Sequence, residues 1–311
     1  LLSPAHMHRG IESFIDGGRR ERELARLVKS AVESIPSKEG GQNEDVLIND
    51  SDIGLFGVFD GLRGDGSSRL AAQSIEKRIS SICENPSSIN ISESGWGDKL
   101  IGFFREVSKE IQRFQQGVDK ARKPDTTALV VKFVTRGNKK FVTWAGVGNS
   151  RMYFRQKDGL YVELLTEDDD AVDQVGGDLN TIDRGKLQRD IRSKLDQASQ
   201  PRDLERGIQG IDLKYLFSRR SILTQTLGDI RGEVRVGWRE IEEGDTLVLV
   251  SDGVHRNLTR EEISEWFHRS GTPRDLAVNL ARDARNRSRM SREENMRAHP
   301  DDMSAIAIEV Q

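Results

Sequence analysis

Apolar residues change their spacing along this chain, and the changes divide it into blocks. Val46-Leu47-Ile48 and Leu55 to Phe59 are short apolar runs separated by Asn49-Asp50-Ser51-Asp52. Turn formers between two such runs predict a β-hairpin with acidic residues at its ends. From Ser68 to Cys83 the apolar positions Leu70, Ala71, Ile75, Ile79 and Ile82 recur at helical spacing, which predicts an amphipathic helix. Asn85 to Gly95 is rich in Ser, Asn and Pro and predicts a loop; Leu100, Phe103, Phe104, Val107, Ile111 and Phe114 then predict a second helix.

The spacing next shortens to that of strands. Thr126 to Val134, Lys140 to Val147 and Ser150 to Phe154 are joined by Arg136-Gly137-Asn138-Lys139 and by a tight Gly148-Asn149 corner, and Gln156-Lys157-Asp158-Gly159 leads into Leu160 to Leu165. Together they predict an antiparallel meander. Thr166 to Arg220 is polar and irregular, with the acidic run Glu167 to Asp170 and a helix predicted around Leu187 to Leu195. A structureless loop of that length is unusual in a compact domain, so it reads as a surface flap with short helices. Strands resume at Val234 to Val236 and Thr246 to Ser251, helices follow at Arg260 to Phe267 and Arg274 to Ala284, and Ser304 to Val310 is a last strand. Two packed antiparallel sheets with outer helices is the simplest layering.

Composition narrows the class. The 311 residues are 35% hydrophobic and 32% charged, too polar for a membrane span, and the net charge of -3 supplies no general cationic field for nucleic acid. Neither a membrane nor a nucleic acid is therefore expected as a partner. The single cysteine, Cys83, excludes an intramolecular disulfide framework or zinc-thiolate cluster; it is expected in a helix, as a core or half-buried residue, and a cytoplasmic setting fits. Residues 1–20 read as an N-terminal extension in which Ala5-His6-Met7 resembles a cloning remnant, and 21–311 as one domain with an insertion at about 166–220.

Acidic residues mark four of the strand ends: Asn43-Glu44-Asp45, Asp60-Gly61, Asp252-Gly253 and Asp301-Asp302. Singly, each is a turn acid or a cation ligand; Asp-Gly in particular is a common turn dipeptide. If the sheets bring Glu44, Asp60, Asp252 and Asp301 together, their repulsion has to be relieved by cations or protons. An all-oxygen set favours Mg²⁺ or Mn²⁺ over zinc.

The ordered series Asn43-Glu44-Asp45, Val58-Phe59-Asp60-Gly61, Thr126-Thr127-Ala128, Gly146 to Arg151, Leu165-Thr166, Thr224 to Asp229, Val250-Ser251-Asp252-Gly253-Val254 and Asp301-Asp302-Met303-Ser304 resembles the metal-dependent protein phosphatases of the PPM (PP2C) family. The resemblance spans roughly Gly41 to Val310. It implies an α+β fold, a four-layer α/β/β/α sandwich, with a centre of two Mn²⁺ or Mg²⁺ ions that hydrolyses phosphoserine and phosphothreonine. It further implies that Asp60 bridges the ions, that Glu44 and the Gly61 carbonyl complete one, that Asp252 and Asp301 complete the other, and that Asp45 acts through a metal-bound water. The implied partner is a phosphoprotein, opposed by a Ser/Thr kinase.

The sequence also departs from that pattern. Gly40 stands where the family commonly has a phosphate-binding arginine, which leaves Lys38 and Arg63 as candidate substrate contacts, with a solvated loop arginine as the alternative for Arg63. Leu62 replaces a histidine or methionine after Asp-Gly and has no proton to give. Asn149 and Arg256 stand where the family places two aspartates of a third metal site, and a guanidinium there disfavours a third cation. Asp302 stands where Asn is usual. Six arginines at 282, 285, 287, 289, 292 and 297 form a phosphopeptide-docking surface or, alternatively, a solvated face, and Glu167 to Asp170 either bind a cation or lie on a solvated flap. The functional expectation is a phosphatase, with a weak or inactive regulatory module of the same fold as the alternative and a hydrolase of small phosphoesters as a third reading.

Overall fold

Antiparallel pairing organises twelve strands, described in a computed structural model over residues 27–84, 91–177 and 181–311. The expected N-terminal extension and residues 85–90 of the expected loop lie outside the described residues. One five-stranded sheet has the order β1 (Val28–Ile35), β12 (Met303–Val310), β11 (Thr246–Val250), β8 (Arg151–Arg155), β9 (Val162–Leu164). The other has the order β10 (Arg235–Ile241), β7 (Lys139–Val147), β6 (Ala128–Arg136), β3 (Leu55–Phe59), β2 (Val46–Asp50), and β4 (Gly61–Leu62) pairs with β5 (Asp125–Thr126) beside them.

Side-chain alternation sorts the core into layers. Phe56, Val58, Leu129 and Val131 from one sheet meet Met152, Leu247, Leu249 and Ile306 from the other between the sheets. The opposite face of the second sheet, with Leu55, Phe59 and Val130, packs under α1 (Gly66–Cys83) and α2 (Glu93–Phe114) through Ile75, Ile79, Leu100 and Phe104. The outer face of the first sheet, with Val248, Ala305 and Ala307, packs under α6 (Arg260–Arg269) and α7 (Pro273–Ser288) through Ile263, Leu276 and Leu280. The expected four-layer α/β/β/α sandwich is therefore present. Cys83 closes α1, packed at the edge of its cluster.

Three local expectations change. First, α2 begins at Glu93, inside the stretch expected to be loop, because the Ser92 Oγ accepts a hydrogen bond from the Gly95 backbone at 3.1 Å and caps the helix. Second, the meander does not run through β8. Gly148 takes a left-handed φ of 101° and the chain crosses to the other sheet, where β8 pairs with β11 and β9. Met152, Tyr153 and Phe154 are all buried, and a run buried on both faces has no alternation from which to read its partner. Third, β1, a strand without an apolar signature, pairs with β12 from Val28↔Val310 to Ile35↔Met303. Its lysine, serines and glutamate belong to an edge strand.

The insertion forms a small unit of its own. Helices α3 (Thr181–Gln197) and α4 (Leu213–Ser218) bury Leu187, Ile191, Leu195, Leu213 and Phe217 with Val172. The acidic run at its base is not solvated: Asp168, Asp169 and Asp170 are buried and meet Arg151 at 2.8 Å, Arg235 at 2.8 Å and Arg192 at 3.1 Å respectively. Nor is the arginine run one solvated face. Arg285 is buried against the Pro36 carbonyl, Arg287 grips Glu262 at 2.6 Å, and Arg297 donates to the carbonyls of Leu195, Ala198 and His255. Arg282 and Arg292 remain exposed.

Lys132 in β6 is buried, with Nζ donating to the Ile53 and Phe133 carbonyls at 2.6 and 2.8 Å, and burial lowers its pKa to about 8. In the unfolded chain the ammonium keeps its ordinary value near 10.5, so between those two values the unfolded chain binds the extra proton and stability rises with pH. The stability of the parent relative to a Lys132→Met variant should accordingly improve from pH 8 to pH 10 in urea denaturation. A difference that stays flat over that interval contradicts the account.

Candidate active site

Strand register gathers the acidic motifs. Val46 pairs with Phe59 and Val250 with Ala305, so Asp45 flanks Asp60 at the end of one hairpin, while Asp252 and Asp302 flank each other at the end of β11 and β12. Asp302 ties the two sheets together by accepting hydrogen bonds from the Ser37 amide at 2.6 Å and the Glu44 amide at 2.7 Å. Its extra charge is thus bound to backbone donors. Glu44 itself is half-buried, and its carbonyl accepts from Ser68 Oγ at 2.8 Å.

Two glycines allow this approach. A Cβ on Gly61 would strike the Glu44 carbonyl, and a Cβ on Gly253 would strike the Asp302 carbonyl. Thr126 and Thr127 position the residue between: the Asp60 carbonyl accepts from the Thr127 amide at 2.9 Å and from Thr126 Oγ1 at 3.0 Å.

Electrostatics show how close the carboxyl groups stand. Burial, then Asp252, Asp45 and Asp301, push Asp60 well above the usual carboxylate range, with Arg256 opposing. Burial likewise raises Asp45, reinforced by Asp301 and Asp302, against the hydroxyls of Ser304 and Ser251. Asp301 is raised by burial and by Asp252, with His299 Nε2 3.2 Å away pulling the other way. Asp252 differs: burial works to raise it, but the Arg256 guanidinium above all, with His299 and the Asn149 hydrogen bond, brings it down to about 2.

Arg256 is the cause of that difference. It follows the four-residue helix α5 (Asp252–His255), and its buried guanidinium places Nη2 2.5 Å from Asp252 Oδ2 and Nη1 3.9 Å from Asp301 Oδ2. Asn149 Nδ2 donates to the same Asp252 oxygen at 3.1 Å. His255 is fully enclosed, held neutral by burial, and its Nε2–H donates to the Asn149 carbonyl at 2.9 Å. In the sequence Arg256 and Asn149 stand out only as obstacles to a third cation; the spacing of four between Asp252 and Arg256 on a helical turn is the signal for the ion pair, and Asn149 and His299 carry none for their contacts.

The candidate phosphate contacts flank the acidic motifs in sequence. Lys38 is exposed, on a turn closed by the Gly41 amide to the Lys38 carbonyl at 2.9 Å. Arg63, at a left-handed φ of 65°, donates to the Lys123 carbonyl at 2.5 Å. Leu62 pairs with Asp125.

No family model matches this chain, and no curated protein matches it. Solved structures do. The serine/threonine phosphatase PstP/Ppp of Mycobacterium tuberculosis superposes with a TM-score of 0.64 at 18% identity, covering 92% of this chain and 99% of that one. The PstP catalytic domain, in a complex described with two manganese ions, gives 0.63 at 17%, covering 91% and 98%. The S. agalactiae serine/threonine phosphatase gives 0.62 at 20%, covering 91% and 100%. The chain has the PPM (PP2C) phosphatase fold.

Within that fold, the donors present fit a hard divalent cation in their chemistry. They are all oxygens, and Asp45 Oδ2 and Asp252 Oδ1 are buried without a protein partner, a costly state that a cation would relieve. Asp252 is oriented for this: Arg256 and Asn149 occupy Oδ2 and leave Oδ1 free. Their gathering is incomplete, since among the described residues no three His, Cys, Asp or Glu side chains are placed so that they could hold a metal ion.

The close passage at Gly253 is testable. Gly253→Ala must displace the Asp302 backbone, whereas Gly271 has open space around it. Overpacking of this kind costs about 1–3 kcal/mol. Urea denaturation should show that loss for Gly253→Ala and little change for Gly271→Ala; equal, small effects would mean that the two strand ends are not held together as described.

Proposed function

We propose that this protein hydrolyses phosphoserine and phosphothreonine on protein substrates, using Mn²⁺ or Mg²⁺ held by Glu44, Asp60, the Gly61 carbonyl, Asp252 and Asp301. The observation that carries the reading is a pair of buried carboxylate oxygens, Asp45 Oδ2 and Asp252 Oδ1, left unpartnered at the strand ends of a phosphatase fold, where the neighbouring charges of Asp60 and Asp301 are felt. When bound, a pair of cations supplies a water acidified to hydroxide near neutral pH and neutralises the phosphoryl oxygens.

The chain's own residues do the rest. Asp60, with its carbonyl fixed by Thr126 and Thr127, presents its carboxylate between the two sheet ends. Asp45, bonded to the Ser251 and Ser304 hydroxyls, keeps Oδ2 free to accept a proton or hold a water. Arg256 fixes the Asp252 carboxylate and places a permanent positive charge beside it. Leu62 offers no proton to the leaving alkoxide, so water has to supply it. A phosphoprotein substrate places the protein opposite a Ser/Thr kinase, and a cytoplasmic setting suits that role. Among the described residues no helix is long and apolar enough to cross a membrane.

Arg256 also favours a second reading. A guanidinium already paired with Asp252 competes for the same negative charge, and a protein that kept it there at all times would be a binding or regulatory module of the same fold.

The decisive assay follows hydrolysis of p-nitrophenyl phosphate and phosphopeptides with Mn²⁺ and with chelator. Turnover should require Mn²⁺ and fall to background in Asp60→Asn. Absent turnover would overturn the hydrolase in favour of the module, and turnover that persists in chelator would overturn the metal-dependent mechanism. Thermal melting tests the site itself: the midpoint should climb with Mn²⁺ concentration, and Asp252→Asn should abolish most of that climb. No rise in the parent protein contradicts metal binding in either reading.

A further inference from the structure

A second pocket adjoins the acidic cluster and has the opposite charge. It has a volume of about 210 Å³ between the insertion and the segment preceding β12, and Lys214, Arg220, Arg256, Arg292 and His299 line it with no carboxylate among the lining residues. Arg256 and His299 form its inner wall, and both also face Asp301, at 3.9 and 3.2 Å. The pocket thus opens beside the strand ends that carry the acids.

Arg256 is paired with Asp252, but Arg220 and Arg292 lack, among the described residues, the carboxylate partners that other buried arginines here possess. Arg151, Arg192 and Arg235 each meet at least two carboxylates. Among the described residues Arg220 has no carboxylate within ion-pairing distance. It donates to the Phe217 and Arg256 carbonyls at 3.4 and 3.3 Å, lies over the Phe217 ring, and leaves its buried Nε unpartnered. Burial, then Arg297, Arg256 and Arg292, lower its pKa to about 8, with Asp196 the opposing charge. Cations crowded against one another in a partly desolvated pocket are stable only when an anion joins them. Guanidinium forks match the oxygens of a tetrahedral dianion better than a single carboxylate or chloride.

We propose that this pocket binds a phosphate dianion, either the phosphoryl group of a phosphorylated serine or threonine side chain or free inorganic phosphate. The volume admits a phosphoryl group together with the side chain that carries it. Arg292 and Lys214, both exposed at the mouth, meet the entering group, and Arg220 and Arg256 hold it at the base. Phe217 and Met296 provide an apolar wall for a peptide carbon skeleton.

Binding is read without metal and without turnover, so this proposal and the hydrolase reading fail separately. Calorimetric titration in chelator, at constant ionic strength, of inorganic phosphate and of a phosphoserine peptide should show one saturable site. Arg292→Ala should weaken it about tenfold or more, Arg292→Lys should retain part of the affinity, and Arg282→Ala, which removes the same charge from an exposed position on α7, should leave it unchanged. Tighter binding of the peptide identifies the phosphorylated side chain as the ligand; equal binding identifies free phosphate. The pocket is overturned if neither ligand binds saturably, or if Arg282→Ala weakens binding as much as Arg292→Ala does.

Discussion

Carboxyl groups of like charge are buried together where two packed sheets end, and the rest of the site is arranged around that repulsion. Asp45, Asp60, Asp252 and Asp301 raise one another's pKa values or are rescued by a cation of the chain itself. Arg256 pairs with Asp252, the Ser251 and Ser304 hydroxyls bond Asp45, and two backbone amides satisfy Asp302. What remains unsatisfied, Asp45 Oδ2 and Asp252 Oδ1, is a pair of hard oxygen donors at the point where the two sheets meet. A sandwich held shut by Phe56, Leu129, Leu249 and Ile306 keeps these groups from separating into water.

Positive charge follows the same logic in two versions. Around the base of the insertion, Arg151, Arg192 and Arg235 consume the carboxylates of Asp168, Asp169, Asp170 and Asp173, so that the acidic run is structural and not a second cation site. A few residues away, Arg220 and Arg292 have no such supply among the described residues and, with Arg256, leave a basic pocket open to the outside. Arg256 belongs to both regions, joining the acidic strand ends to the basic pocket through a single side chain.

Much of this was legible in the sequence. Helices α1, α6 and α7 announce themselves because helical spacing separates core from solvent, and β3 and β12, buried on both faces, show as apolar runs bounded by acids and turn formers. Legibility failed over which strand such a run pairs with and where polar residues are used internally. Tyr153 and its neighbours in β8 read as a strand of the wrong sheet, and β1 hid behind its edge-strand polarity. Asp168 and Arg297 read as surface charges, because a charged residue buried by a partner distant in sequence looks the same in one dimension as a solvated one. At the site itself, the position of each acid at a strand end was visible. The salt bridge that Arg256 makes to one of them depends on side-chain direction within a single short turn, α5.

The most direct test is a crystal structure of the protein soaked in Mn²⁺, with the ions counted by their anomalous scattering. Two peaks sharing Asp60, one beside Glu44 and the Gly61 carbonyl and the other beside Asp252 Oδ1 and Asp301, with Arg256 still on Asp252 Oδ2 and no third ion there, are the predicted result. An absence of density at Asp60, with the carboxylates bridged by Arg256 alone, would contradict it.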